Sequence, residues 1–286
     1  MNCDFCPSLF KYENRSGVFT ETSQLTQFEH PEPHARISPL ERGINFRDMG
    51  GYTGAAGRRV RWRHVFRSGS TYLMNDEDRT ALTAVPIRAV VDLRSRRERA
   101  DHPHILCGHG DVDYQAFEHD HAAGNILRML ASPDAKAGTL QDMMIRFYAE
   151  LPYQFSASFR ALFVQAATGP LPLMFNCTAG KDRTGVAAAL LLSALGVEWH
   201  DVLADYLLTE RFVPVILQLY AKMPRRRTLE HHTPELLAPV FGVQAIYLDS
   251  MLRAIALRSG SLENYFRNTL NLDEEFMHRL QERLLD

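Results

Sequence analysis

The sequence predicts an α/β domain with a central, mostly parallel sheet flanked by helices and a helical carboxyl-terminal part. Three observations predict it. Short apolar runs alternate with stretches of helical periodicity through the first two thirds of the chain. The run "PLPLMFN" passes through a loop of small residues into a helix rich in alanine and leucine. Beyond that helix, apolar residues recur at helical spacing.

In chain order, residues 1–37 are polar and irregular, with "HPEPHARISP" at 30–39 punctuated by proline, so an amino-terminal arm is expected before one domain over 38–286. From residue 58, "RRVRWRHVFRSG" reads as two short strands. "NDEDRTALTAV" reads as a helix capped by Asn75, with acidic residues in its first turn. "RAVVDLRS" at 88–95 is a buried strand, which makes a parallel βαβ unit with the preceding elements. "DVDYQAF" is a further strand, and 138–168 carries Met143, Met144, Phe147, Leu151, Phe159, Leu162 and Phe163 at helical intervals. "DRTGVAAALLLSALGV" is a helix closed by Gly196. "WHDVLADYLLTE", "APVFGVQAIYLDSMLRAIALRSG", "SLENYFRNTL" and "LDEEFMHRLQERLL" complete a helical end.

A composition with 45% hydrophobic residues supports a sizeable core, and 32 basic against 34 acidic residues excludes a global bias towards nucleic acid or anionic membrane. No run approaches the roughly 18 apolar residues of a membrane span. Asp4, Lys11, Glu13 and Arg15 interrupt any signal-peptide core, so the cytoplasm is the default expectation, although secretion by unusual routes leaves no such mark. Cys3, Cys6, Cys107 and Cys177 make no disulfide framework; the single Cys-x-x-C in "NCDFC" lacks a second ligand pair, and the histidines of "HPH" (102–104) and "EHDH" (118–121) lack zinc-ligand spacing. No metal or cofactor is expected. Cys107 reads as a free structural thiol, with a protective disulfide to Cys177 as the alternative.

Chemistry concentrates in "FNCTAGKDRTG" at 175–185. A strand, a small-residue loop and a helix N-terminus converge backbone N–H groups on one point, a site for an anion. In that field Cys177 becomes a thiolate and a nucleophile. Arg183, six residues later, offers a planar fork for two phosphate oxygens, Thr184 a hydroxyl for the sulfur, and Gly180 a position where a Cβ would obstruct the anion. The parts fit phosphoryl transfer with cysteine as temporary carrier. A nucleotide-type phosphate loop is excluded, because Phe175 and Asp182 stand where glycine and Ser or Thr are required.

"CTAGKDRTG" resembles the Cys-x5-Arg signature of the protein-tyrosine and dual-specificity phosphatases. With "NFRDMGGY" (45–52), "VFRSGS" (65–70) and "VVDLRSRRE" (90–98), the chain from about residue 38 onward is similar to the bacterial and fungal tyrosine-phosphatase family, which includes a secreted mycobacterial enzyme acting on proteins and phosphoinositides. The resemblance implies a tyrosine-phosphatase-like fold, no metal, a phosphocysteine intermediate, Cys177 as nucleophile and Arg183 as phosphate clamp. It places Thr178, Ala179, Gly180, Lys181 and Thr184, with Arg47, in substrate binding. Lys181 falls where the family also has lysine, an added cation suited to multiply charged substrates, or else a solvated loop lysine. The implied partners are phosphoproteins or phosphoinositides, without nucleic acid or an integral membrane segment; oligomeric state is left open.

The sequence departs from the signature at Asn176, where histidine is common; a neutral amide can hold the loop but lends the thiolate no charge. There is no "WPD", so the proton donor is expected to be Asp182 in the loop, or else Asp92 at a strand end, where a structural partnership with Arg47 or Arg94 is the other reading. Arg225, Arg226 and Arg227 read as a solvated cluster or as a collector of anionic headgroups. Two rival functions are a phosphate-binding module without turnover and a sulfurtransferase.

Overall fold

The computed structural model describes residues 36, 43–108, 110–117, 130, 132, 134–221 and 232–286. The expected arm apart from Arg36, the "EHDH" histidines and the arginines at 225–227 lie outside these residues.

Among the described residues the sheet has five strands: β1 (Arg47–Asp48), β2 (Val65–Ser68), β3 (Ala89–Asp92), β4 (Asp113–Ala116) and β5 (Leu173–Asn176), in the order β1-β2-β5-β3-β4. All neighbours are parallel except β1 with β2. The mostly parallel sheet is as predicted. Two details differ. β5 inserts between β2 and β3, and "RRVRWRHVFRSG" supplies one strand, because Val60 makes only an isolated bridge to Leu285.

Alternation along the strands sorts the two faces. Leu173, Phe175 and Cys177 share one core with Ala89 and Val91, whereas Met174 shares a second with Phe66 and Val90. The second core is closed by α1 (Asp76–Ala84) through Leu82. Asn75 caps α1 as predicted, its side chain accepting from the Asp78 N–H at 2.8 Å. After β3 comes α2 (Arg96–Asp101), opened by a reciprocal Ser95–Glu98 capping box.

The first core is filled by helices. The predicted helical stretch 138–168 divides into α3 (Ala137–Gln154) and α4 (Ser156–Thr168) at Phe155; Pro152, without an N–H, stands in the last turn of α3. Helix α5 (Asp182–Ala194) is buried almost all round, which explains its unbroken alanine and leucine. It ends as predicted at Gly196, whose φ of +75° reverses the chain. Then follow α6 (Trp199–Leu207), α7 (Val213–Ala221), α8 (Pro234–Phe241), α9 (Ala245–Ser259), the turns Leu262–Thr269 and α10 (Glu274–Leu284). The stretch Pro234–Ser259 is long and apolar enough to cross a membrane, but Val240, Phe241, Tyr247, Leu248, Met251 and Ile255 are buried within the protein, which accounts for its hydropathy.

Candidate active site

Cys177 follows β5 at the carboxyl edge of the sheet, where parallel-sheet sites form. Its side chain joins the face occupied by α5. The loop then runs through Thr178, Ala179 and Gly180 to Lys181, which caps α5, so Arg183 lies in the first helical turn. The Ser70 N–H donates to the Thr178 carbonyl at 2.8 Å, tying the loop to the end of β2.

Gly180 has φ +67°, and a Cβ there would lie 2.6 Å from the Gly69 nitrogen. The neighbouring backbone thus requires glycine at this position. The Gly180 carbonyl accepts from Asn45 Nδ2 at 2.6 Å and Arg67 Nη2 at 2.9 Å. Behind these donors lies a buried network. Arg67 Nη1 meets Asp205 Oδ2 at 2.5 Å, and Arg47 Nε meets Asp205 Oδ1 at 3.0 Å. Burial lowers the Arg67 pKa to about 10, with Arg47 adding repulsion and Asp205 opposing both. Burial would raise the Asp205 carboxyl, but the two guanidiniums hold it well below the usual carboxylate range. Arg47 is therefore not a substrate contact. It is fully buried and supports the loop from behind through Asp205 and Asn45.

Arg183 turns back towards the start of the loop, its Nη2 lying 3.4 Å from the Thr178 hydroxyl. Nη1 donates to Glu98 Oε2 at 2.8 Å and to the Leu93 carbonyl at 3.0 Å; Nη2 donates to Glu98 Oε1 at 2.7 Å. Glu98 also accepts from the Thr178 hydroxyl and, at 2.8 Å, from the Ser95 N–H. Burial opposes both charges, yet the pair prevails: the Glu98 carboxyl is held far below its ordinary range and the Arg183 guanidinium is raised. Glu98 was not among the residues expected from the sequence. Its signal was the capping-box spacing Ser95 to Glu98, which fixes the carboxylate on the first turn of α2.

The two candidate acids are separated by the pleat. Asp92 belongs with Val90 and Met174 on the opposite face from Cys177, and Arg94 grips it through Nε at 3.0 Å and Nη2 at 2.7 Å. Tyr114 adds a 2.5 Å bond and Asn176 Nδ2 one at 3.4 Å. Burial would raise Asp92, but these donors lower it, as befits the structural partner of Arg94. Asn176 thereby braces the loop from the β3 side. Asp182, in contrast, stands on the loop side, partly exposed, with Oδ1 2.6 Å from Lys181 Nζ and 2.7 Å from the Tyr148 hydroxyl. Lys181 is buried rather than solvated. The Thr184 hydroxyl is fully buried and lies 3.5 Å from the Ser68 carbonyl at the end of β2.

Ala179 shares an apolar cluster with Ile216 and Leu219 of α7 and Val240 and Phe241 of α8. Nearby Tyr220 has its phenol raised far above the ordinary range by burial, with Asp182 and Glu98 adding to it. Cys107 is exposed and Cys177 buried, both as free thiols. Among the described residues no group of three or more His, Cys, Asp or Glu side chains could hold a metal ion.

The fold is that of the tyrosine-phosphatase-like α/β class. The profile of the tyrosine phosphatase family matches residues 38–286, and the chain belongs to that family of enzymes. It is 36% identical over 237 residues to a protein of Cupriavidus necator named as a tyrosine-protein phosphatase, covering 80% of this chain and 82% of that one. It is 29% identical over 264 residues to the triple specificity protein phosphatase PtpB of Mycobacterium tuberculosis, covering 81% and 93%. A tyrosine-protein phosphatase of Nostoc commune is 30% identical over 142 residues, covering 49% and 46%.

Proposed function

We propose that residues 38–286 act as one catalytic domain that hydrolyses phosphate monoesters without a metal. The substrates are phosphotyrosine in proteins, extending to phosphoserine, phosphothreonine and phosphoinositides. The observation that carries this reading is the Arg183 fork, returned over the loop that begins at Cys177 and aligned by Glu98. The triple specificity in the name of the Mycobacterium relative supports the breadth.

The Cys177 sulfur attacks phosphorus in line; the S–P bond forms as the ester P–O bond breaks, and Asp182 gives its proton to the departing oxygen. Arg183 and the N–H groups of the loop and of α5 stabilise the charge on the equatorial oxygens. Water then attacks phosphorus and returns a proton to Asp182, the S–P bond breaks, and inorganic phosphate leaves. Thr178, Ala179 and Gly180 contribute backbone. The Lys181 ammonium is engaged with Asp182, so its reach to a second phosphate requires an exchange of partners.

The test is phosphate release from an aryl phosphate and a phosphotyrosine peptide in EDTA, with Cys177→Ser as control. Turnover that disappears in the variant establishes the reading. No turnover, with vanadate or phosphate still bound, makes the chain a binding module, and sulfur transfer from thiosulfate exceeding phosphate release makes it a sulfurtransferase.

A further inference from the structure

We propose that Tyr148, backed by Tyr206, is a positioning residue that decides which oxygen of Asp182 carries the proton. The inference rests on Asp182 being the acid. Both strong donors to this carboxyl, Lys181 Nζ and the Tyr148 hydroxyl, converge on Oδ1 at 2.6 and 2.7 Å. Oδ2 has no hydrogen-bond partner among the described residues, and the side chain is 22% exposed. An oxygen that accepts two hydrogen bonds behaves as the carbonyl oxygen of a carboxylic acid, which leaves Oδ2 to hold and release the proton.

The direction of the bonds is settled by counting hydrogens. The Tyr148 and Tyr206 hydroxyls are 2.7 Å apart, and each has one hydrogen. Tyr148 spends its hydrogen on Asp182, so Tyr206 donates to Tyr148, and the order is Tyr206 to Tyr148 to Asp182. Both phenols are raised well above their ordinary range by burial, with the Asp182 charge adding to it, and stay protonated as donors. Neither ring is free to turn. Tyr148 packs on Tyr247 at 5.2 Å and edge-on to Tyr206 at 6.1 Å, and Tyr206 lies against Gly185, where a Cβ would be 3.0 Å from its ring. Without Tyr148, Lys181 alone would orient the carboxyl, and Lys181 sits on a flexible stem.

Positioning of an acid matters in proportion to how poor the leaving group is. The experiment compares kcat/KM for a phosphoserine peptide and a dinitrophenyl phosphate in the unmodified protein, Asp182→Asn, Tyr148→Phe and the double variant. The expected result is a loss at least tenfold larger on the phosphoserine peptide than on the activated ester for Tyr148→Phe, with no further selective loss when Asp182→Asn is already present. Equal losses on both substrates, alongside a selective loss in Asp182→Asn, would show that Tyr148 only supports the fold. A non-selective Asp182→Asn would instead overturn the acid assignment itself. If Tyr148→Phe is unfolded by circular dichroism, Tyr206→Phe decides: a selective loss of about twofold supports the relay, and an unselective one overturns it.

Discussion

Glu98 meets Arg183 fork to fork, with two parallel bonds of 2.7 and 2.8 Å between a carboxylate on α2 and a guanidinium on α5. The plane of the Arg183 guanidinium is thus set by a helix that follows a different strand. Glu98→Gln keeps the shape and removes the charge. It is expected to lower kcat/KM for an aryl phosphate about 10–100-fold, equivalent to about 1.4–2.7 kcal/mol. Steady-state kinetics checks this, with alkylation of Cys177 by iodoacetamide reporting that the loop remains formed.

The two aspartates should separate cleanly. Asp182→Asn is expected to reduce turnover of phosphotyrosine about 100-fold or more with little change in melting temperature. Asp92→Asn leaves the buried Arg94 guanidinium without its anion and should instead lower stability by about 3 kcal/mol. Parallel thermal melts and rate measurements distinguish the two outcomes.

Asp205 neutralises one of two buried guanidiniums, so Asp205→Asn leaves both Arg47 and Arg67 uncompensated. A loss of about 3–5 kcal/mol is expected, read as a lower urea midpoint. Because its carboxyl is depressed on folding, the contribution of Asp205 is complete above the ordinary carboxylate pKa of about 4 and declines as the pH falls below it.

His104 acts in a higher pH window. Burial lowers its pKa from 6.5 to about 4, so the unfolded chain takes up a proton first as the pH falls. Stability that is fully present above pH 6.5 should decline by up to about 3 kcal/mol between there and pH 4. His104→Gln should flatten that slope in urea titrations at successive pH values.

The sheet, the loop and α5 were legible because each rests on local patterning: an apolar run ending in Cys177, small residues, then an unbroken helical stretch. Strand order was not. The insertion of β5 between β2 and β3 depends on which apolar faces meet, and no local pattern records that. For the candidate site, the spacing of Cys177 and Arg183 drew attention to the loop, but the partner of the Arg183 guanidinium lies 85 residues away in Glu98. Arg47, a charged side chain near a phosphate motif, reads as a ligand in the sequence, whereas the fold buries it completely. Asp92 could be separated from Cys177 only through the pleat, since strand-end position alone puts both at the same edge.

The paired donors on the Gly180 carbonyl bear on the thermodynamics of anion binding. Asn45 and Arg67 orient the Gly180–Lys181 peptide through contacts that belong to folding. The order of the loop is therefore settled before an anion arrives, and an arriving anion has little backbone freedom to remove. Calorimetry of phosphate or vanadate binding should register a small conformational-entropy penalty, and loosening either donor would weaken the anion's affinity while leaving every group that touches it in place.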